Sequence, residues 1–131
     1  MCLNFVDEKM KACKVGWKVI RQRGNGFLYS QYASTKPLEI GKWLDEKDYR
    51  DEDGDGFDDY IETDWLTKYP RGWHIYNHKK AVQVLLLANE IVVKVEVKEP
   101  RCSGKQGHFY KTQVTVAKFI KITKVYDKEK A

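Results

Sequence analysis

Residues 51–62, DEDGDGFDDYIE, combine residue type and spacing in a way that could hold a metal ion. Acidic side chains occupy positions 1, 3, 5, 9 and 12 of this run, and Gly56 occupies position 6. Calcium takes about six to eight oxygen ligands, and alternating carboxylates followed by a glycine turn can curl around one such ion. The predicted ligands, including the backbone carbonyl at position 7, are Asp51, Asp53, Asp55, Phe57, Asp59 and Glu62.

This run resembles the EF-hand loop and, more closely, the DxDGDGxxDxxE calcium repeats of bacterial extracellular proteins. The resemblance implies that Glu62 chelates calcium with both carboxylate oxygens from the first turn of a following helix. Asp58 stands where a paired EF-hand has an aliphatic residue, and the segment Gly41–Arg50 lacks the apolar stripe of an entering helix. We therefore predict one unpaired calcium loop, with a solvated acidic loop as the alternative.

Charge is divided unevenly along the chain. Residues 45–64 carry eleven acidic side chains against Lys47 and Arg50, a net charge of −9, so the remainder carries +14 of the overall +5. A strongly basic body predicts an anionic partner, which could be a nucleic acid, a nucleotide or an acidic protein surface. The alternative is a solvated, lysine-rich sheet face, because lysines that alternate with apolar residues keep a half-exposed sheet soluble.

Length, cysteine content and hydropathy narrow the class of protein. The chain has 131 residues, which predicts one domain over 1–131, and 42% hydrophobic residues, which is enough for a core. No apolar run approaches the roughly 20 residues that a membrane span requires, and no secretory segment precedes the first strand, so we expect a cytoplasmic protein. Its three cysteines form no CxxC pair and predict reduced thiols.

Apolar periodicity predicts several strands and one helix. Asn77 is a predicted N-cap for a helix from His78 to about Asn89, and a loop is predicted over Pro100–Gly107. The expected fold is α+β: a mostly antiparallel sheet, one principal helix and an acidic insertion at 45–64. The predicted strands are 15–21, 27–32, 71–76, 91–98 and 110–125.

The second half of the chain also resembles small phage and bacterial proteins without an assigned activity. The matching elements are a Gly-aromatic-His strand at Gly72–Ile75, a helix at Ala81–Ala88, a VxVKVEV-type strand at Val92–Val97 and a basic-apolar strand at Phe119–Val125. This resemblance implies an α+β fold and a phage or mobile-element context. It implies no activity.

Three residues near the predicted helix start could bind an anion. His74 is either a hydrogen-bonded histidine on an inner strand or a polar group at the mouth of a pocket, with Arg71 and Asn77 beside it. Cys102 follows Arg101 and lies near His108, which could lower the pKa of its thiol. No third orienting group or oxyanion site accompanies that pair, so the sequence favours a non-enzymatic protein.

Three functional hypotheses follow. The first is a small binding protein, phage-encoded as the resemblance implies, in which one calcium ion orders an acidic recognition loop. The second is a nucleic-acid or nucleotide binder that uses the basic body, with tryptophans stacking on bases. The third is an enzyme with a site near His74. The tryptophans available for stacking are Trp17, Trp43, Trp65 and Trp73.

Overall fold

In the computed structural model, most of the described residues lie in strands. The structure describes residues 3, 5–22, 27–30, 36–49, 60–62, 68–79, 90–106 and 112–126. The described ranges include a 3-10 turn, η1, at Glu46–Tyr49. The strands are β1 Phe5–Val6, β2 Val15–Gln22, β3 Leu28–Ser30, β4 Trp43–Asp45, β5 Tyr60–Glu62, β6 Lys68–Pro70, β7 Trp73–Tyr76, β8 Glu90–Gln106 and β9 Thr112–Tyr126.

Two long strands, β8 and β9, organise the main sheet. They pair antiparallel from Val92↔Tyr126 to Gln106↔Thr112, and the sheet has the order β1-β8-β2-β7-β9-β4 with β3 paired to β2. Because β8 also pairs with β2, and β7 pairs with both β2 and β9, these four strands form a closed ring of pairings. The pairing between β2 and β7 is the shortest of the four, with the single residue pair Trp17↔Tyr76. Strands β5 and β6 form a separate two-stranded sheet.

Alternation along β8 and β9 supplies the core. Val93 and Val95 on β8 and Ile120 and Ile122 on β9 are each fully buried, and lysines occupy intervening positions. β-Branched residues pack well on a pleated surface, which suits these sequences to long strands. The central cluster is completed by Ile20, Leu28, Leu38, Leu44, Tyr49, Trp73, Ile75 and Ala117.

The prediction of an α+β fold with one principal helix is wrong: the protein is β-rich. The helix was predicted from His78 to about Asn89, and residues 80–89 of that segment lie outside the described ranges. Part of the error lies in the predicted loop over Pro100–Gly107, because β8 continues through Pro100 to Gln106. A register shift between Pro100 and Cys102 and a positive φ of 53° at Glu99 form an irregularity there. Such an irregularity accommodates a proline, which cannot donate to the ladder.

The strand predictions are confirmed for the segments the structure describes. Val15–Gln22, Leu28–Ser30 and Trp73–Tyr76 are strands, as are the two long segments that contain 91–98 and 112–125. Within the described ranges, no helix has the length and apolar character needed to span a bilayer.

Candidate functional site

The predicted calcium loop falls mostly outside the described residues. Asp51, Asp53, Asp55, Phe57 and Asp59 lie in that part of the chain. Glu62 lies in β5, paired with Lys68, so its backbone is extended and not in the helical turn that the EF-hand resemblance implied. Among the residues that the structure describes, no group of three or more His, Cys, Asp or Glu side chains could hold a metal ion.

His74 is a hydrogen-bonded histidine on β7. Its Nδ1 lies 3.1 Å from the Gly72 carbonyl oxygen, and its Nε2 lies 3.0 Å from the Tyr69 hydroxyl, which itself accepts a bond from Leu3 N–H. The carbonyl must accept from Nδ1–H, so Nε2 accepts the hydroxyl proton. Burial, with the nearby Lys18 ammonium, lowers the pKa of His74 to about 3. The neutral ring therefore uses both of its nitrogens in hydrogen bonds that connect β6 and β7.

The residues predicted to bind an anion, Arg71, His74 and Asn77, all make hydrogen bonds within the protein. The Arg71 carbonyl accepts a bond from the Arg101 guanidinium. The Asn77 side chain donates to the Lys11 carbonyl at 2.9 Å and accepts from the Thr115 hydroxyl at 2.7 Å. These polar groups therefore hold neighbouring strands together. The helix that Asn77 was predicted to cap lies outside the described residues.

A polar network ties the N-terminal segment to β8 and β9. Asp7 accepts bonds from the Ser103 hydroxyl at 2.7 Å and the Gln113 amide at 2.8 Å. Burial raises the pKa of Asp7, but these two bonds and nearby lysines hold it below its usual value. Ser103 also accepts from Lys11 N–H at 2.7 Å. The network satisfies Ser103, which is fully buried, and so has a structural role.

The two cysteines that the structure describes are poor nucleophiles. Burial raises the pKa of Cys102 to about 11, although Arg101 acts in the opposite direction. The expectation that neighbouring positive charge would activate this thiol is therefore wrong, because desolvation outweighs it. Burial also raises the pKa of Cys13, whose thiol lies 3.4 Å from the Thr115 hydroxyl. Both thiols are protonated at neutral pH.

A different group of residues forms an accessible surface on β4, β9 and β8. We call it the lysine–aromatic face, and it consists of Trp43, Lys98, Lys118, Phe119 and Lys121. The Lys98 ammonium lies 5.5 Å from the ring centroids of both Trp43 and Phe119. Lys121 lies 5.3 Å from the Trp43 ring, and Lys118 lies 5.0 Å from the Phe119 ring. Trp43 is 41% exposed, so part of its ring is open to a partner.

Strand register explains why Trp43, Lys98, Phe119 and Lys121 share one face. Lys118 is the neighbour of Phe119 on β9 and stands at an alternate position, from which its ammonium lies near the Phe119 ring. Trp43 pairs with Lys121 and Asp45 with Phe119 across β4 and β9, while Glu96 and Lys98 occupy the matching positions on β8. The intervening residues point the other way: Leu44 and Ile120 are buried in the core. The face is thus the solvent side of three adjacent strands, and the opposite side of these strands packs in the hydrophobic core.

The sequence showed some of this surface but not its assembly. Trp43 was one of the tryptophans predicted to stack on bases, and the structure separates it from Trp73, which is 4% exposed and donates to the Leu44 carbonyl at 3.0 Å. Trp17 is partly buried, and Trp65 lies outside the described residues. The alternation of lysines with apolar residues in 91–98 and 116–124 predicts lysines on the solvent side of these strands. The aromatic rings that the lysines contact depend on strand order, which the alternation does not give.

Comparisons with protein-family models, with curated proteins and with solved structures found no match to this chain.

Proposed function

We propose that this protein is a non-enzymatic binding protein that engages an anionic partner through the lysine–aromatic face. The observation that carries the proposal is the clustering of three lysine ammonium groups, each within 5.5 Å of the ring centroid of Trp43, of Phe119 or of both. These lysines belong to a body whose net charge outside 45–64 is +14. A polyanion laid across them would displace its counterions and gain affinity from their release.

The chemistry of the other polar groups supports binding over catalysis. His74 uses both ring nitrogens in hydrogen bonds, and the thiols of Cys13 and Cys102 have raised pKa values. A general base needs a free nitrogen within reach of a substrate proton, and a catalytic cysteine needs a thiolate. His74, Cys13 and Cys102 offer neither of these, whereas Trp43 and Lys98 of the lysine–aromatic face are exposed.

Salt dependence tests this function directly. Fluorescein-labelled heparin should bind the protein at about 50 mM salt, and its affinity should fall about 20-fold by about 200 mM if three lysines contact it. Fluorescence anisotropy over this range gives the slope. An affinity that does not change with salt, or no binding at the lowest salt concentration, would contradict the proposal.

A matched pair of variants separates the face from net charge. Replacing Lys98, Lys118 and Lys121 together by glutamine should abolish most heparin binding, because the three contacts are lost. The control replaces three exposed lysines of the N-terminal segment by glutamine and removes the same charge: Lys9, Lys11 and Lys14. If both variants lose affinity equally, the charge acts without a defined site.

A second proposed function is calcium binding by residues 51–62. Its support is the sequence itself, in which all six ligand positions are filled, including the distant Glu62. Bound calcium would neutralise part of the −9 segment that immediately follows β4, which carries Trp43 of the lysine–aromatic face. The ion would in this way order an acidic recognition loop next to a basic surface.

Terbium luminescence and calorimetry with calcium test the second function. Wild-type protein should show one saturable site, and Glu62→Gln should weaken it roughly tenfold or more, because a bidentate glutamate supplies two of about six to eight oxygens. Glu52→Gln makes the same change in charge at a position that supplies no ligand, and it should leave the affinity close to wild type. Equal affinities for the two variants would show that the acidic run binds cations without a formed site.

A further inference from the structure

We infer that the anionic partner is a single-stranded nucleic acid whose bases stack on Trp43 and Phe119 while its phosphates contact the surrounding lysines. The inference rests on the proposed function and adds the class of partner. Two aromatic rings with lysines around both are the elements that sequence-independent binding of single strands requires, because every base has a face that can stack.

The spacing of the two rings fits successive nucleotides. Lys121 and Phe119 are two residues apart on β9 and lie on the same face of the sheet, and Trp43 sits directly across from Lys121. Two residues of a strand advance about 7 Å, so the two rings are separated along the sheet by roughly that distance. The Lys98 ammonium lies 5.5 Å from the centroid of each ring. A base on each ring would therefore place the connecting phosphate close to Lys98.

The lysines over the rings do not prevent stacking. Lys98 is exposed, and a lysine side chain is long and flexible, so its ammonium can move from the ring to a phosphate without a backbone change. A cation–π contact at an exposed site is weaker than the stacking of a base on an aromatic ring. The cation–π contacts keep the rings and the ammonium groups close together before a strand binds.

Carboxylates on the same face argue against a duplex or an acidic peptide. Glu96 lies 3.5 Å from the Lys121 ammonium, and Asp45 is paired with Phe119 and accepts a bond from Lys47 N–H at 3.1 Å. A duplex presents closely spaced phosphates and keeps its bases stacked inside, so it would meet these carboxylates without using the rings. An acidic peptide would meet the same repulsion. A single strand is flexible, so its bases can stack on the rings while its phosphates stay away from the carboxylates of Glu96 and Asp45.

Fluorescence anisotropy with a labelled oligothymidylate of about 12 nucleotides tests the inference, because binding sites of this kind cover roughly 4–16 nucleotides. The oligothymidylate should bind at least tenfold more tightly than a duplex of the same length. Trp43→Ala should weaken single-strand binding by about 5- to 150-fold, which is the loss of one stacked base. Trp43→Phe should retain most of the affinity, because it keeps a ring face, while it loses the quenching of tryptophan fluorescence that stacking produces.

Phe27→Ala provides a matched control. Phe27 is 58% exposed and directly precedes β3. The strand that β3 pairs with is β2, which carries no residue of the lysine–aromatic face, so loss of the Phe27 ring should leave the affinity unchanged. Equal binding of single strand and duplex, tighter binding of polyglutamate than of oligothymidylate, or wild-type affinity in Trp43→Ala would each overturn the inference. Salt-sensitive heparin binding in those cases would leave the proposed function standing. Absence of heparin binding at low salt would overturn both.

Discussion

Gly16→Ala is expected to lower the free energy of unfolding by about 3 kcal/mol or more. A Cβ atom at Gly16 would lie 2.4 Å from the Ile75 side chain and 2.8 Å from the Tyr76 carbonyl oxygen. The carbonyl belongs to the backbone of β7 and cannot rotate away as a side chain can. The added methyl group must therefore push β2 from β7 next to their one residue pair, Trp17↔Tyr76. Urea unfolding followed by circular dichroism measures the loss.

Gly41→Ala is the control for this prediction. Gly41 has a φ of +82°, and no atom lies within 4 Å of a Cβ built there. Its substitution should cost about 1–2 kcal/mol from backbone conformation alone. No left-handed φ requires glycine at Gly16, so steric overlap carries its whole effect. A Gly16→Ala cost no greater than that of Gly41→Ala would show that the contact between β2 and β7 relaxes freely.

Lys18→Met is expected to stabilise the protein by about 2–3 kcal/mol at pH 7, since a shift of one pKa unit corresponds to about 1.4 kcal/mol. Lys18 is 8% exposed, and its ammonium contacts the His74 carbonyl at 3.0 Å and the Trp73 ring at 5.6 Å. No carboxylate of the described residues forms an ion pair with it. Burial lowers its pKa to about 8. Methionine would keep much of the volume without the cost of burying a charge.

The pH dependence of this effect has a definite sign. The pKa of Lys18 is about 8 in the folded protein, against 10.5 for a lysine in water, so the unfolded chain binds more protons between those values. Wild-type stability should therefore rise from pH 8 to about 10.5, and the advantage of Lys18→Met should shrink over the same window. Urea midpoints at several pH values measure this change. Lys14→Met, at an exposed position, should give no comparable effect. A destabilised Lys18→Met at pH 7, or a difference that does not change with pH, would contradict the account.

Strand positions were predictable because they depend on local pattern. Val93 and Val95 alternate with Lys94 and Glu96, and such an alternation makes a half-buried strand the favoured structure whatever the rest of the chain does. The prediction of a loop over Pro100–Gly107 also relied on local pattern, and it is wrong for Pro100 to Gln106. Proline, serine and glycine favour loops, but pairing with β9 and an irregularity at Glu99–Cys102 keep these residues in the strand.

The candidate site was predictable only in part. The spacing in 51–62 remains a prediction of calcium binding, since most of that loop lies outside the described residues. The role of His74 depended on contacts with Tyr69 and Gly72, and the state of Cys102 depended on burial. Neither the contacts of His74 nor the burial of Cys102 can be predicted from neighbouring residues in the sequence, because desolvation depends on what packs around a group in the fold.

By itself, the amino-acid sequence determined the separation of charge, the acidic dodecapeptide and the alternation that makes strands, because each is a property of residues close together in the chain. Tertiary structure alone decided that Trp43 meets Lys98 and Lys121, residues 55 and 78 positions away along the chain. That meeting requires β4, β9 and β8 to lie side by side in one register. Strand order is set by how the whole sheet buries its apolar face, which no local segment specifies.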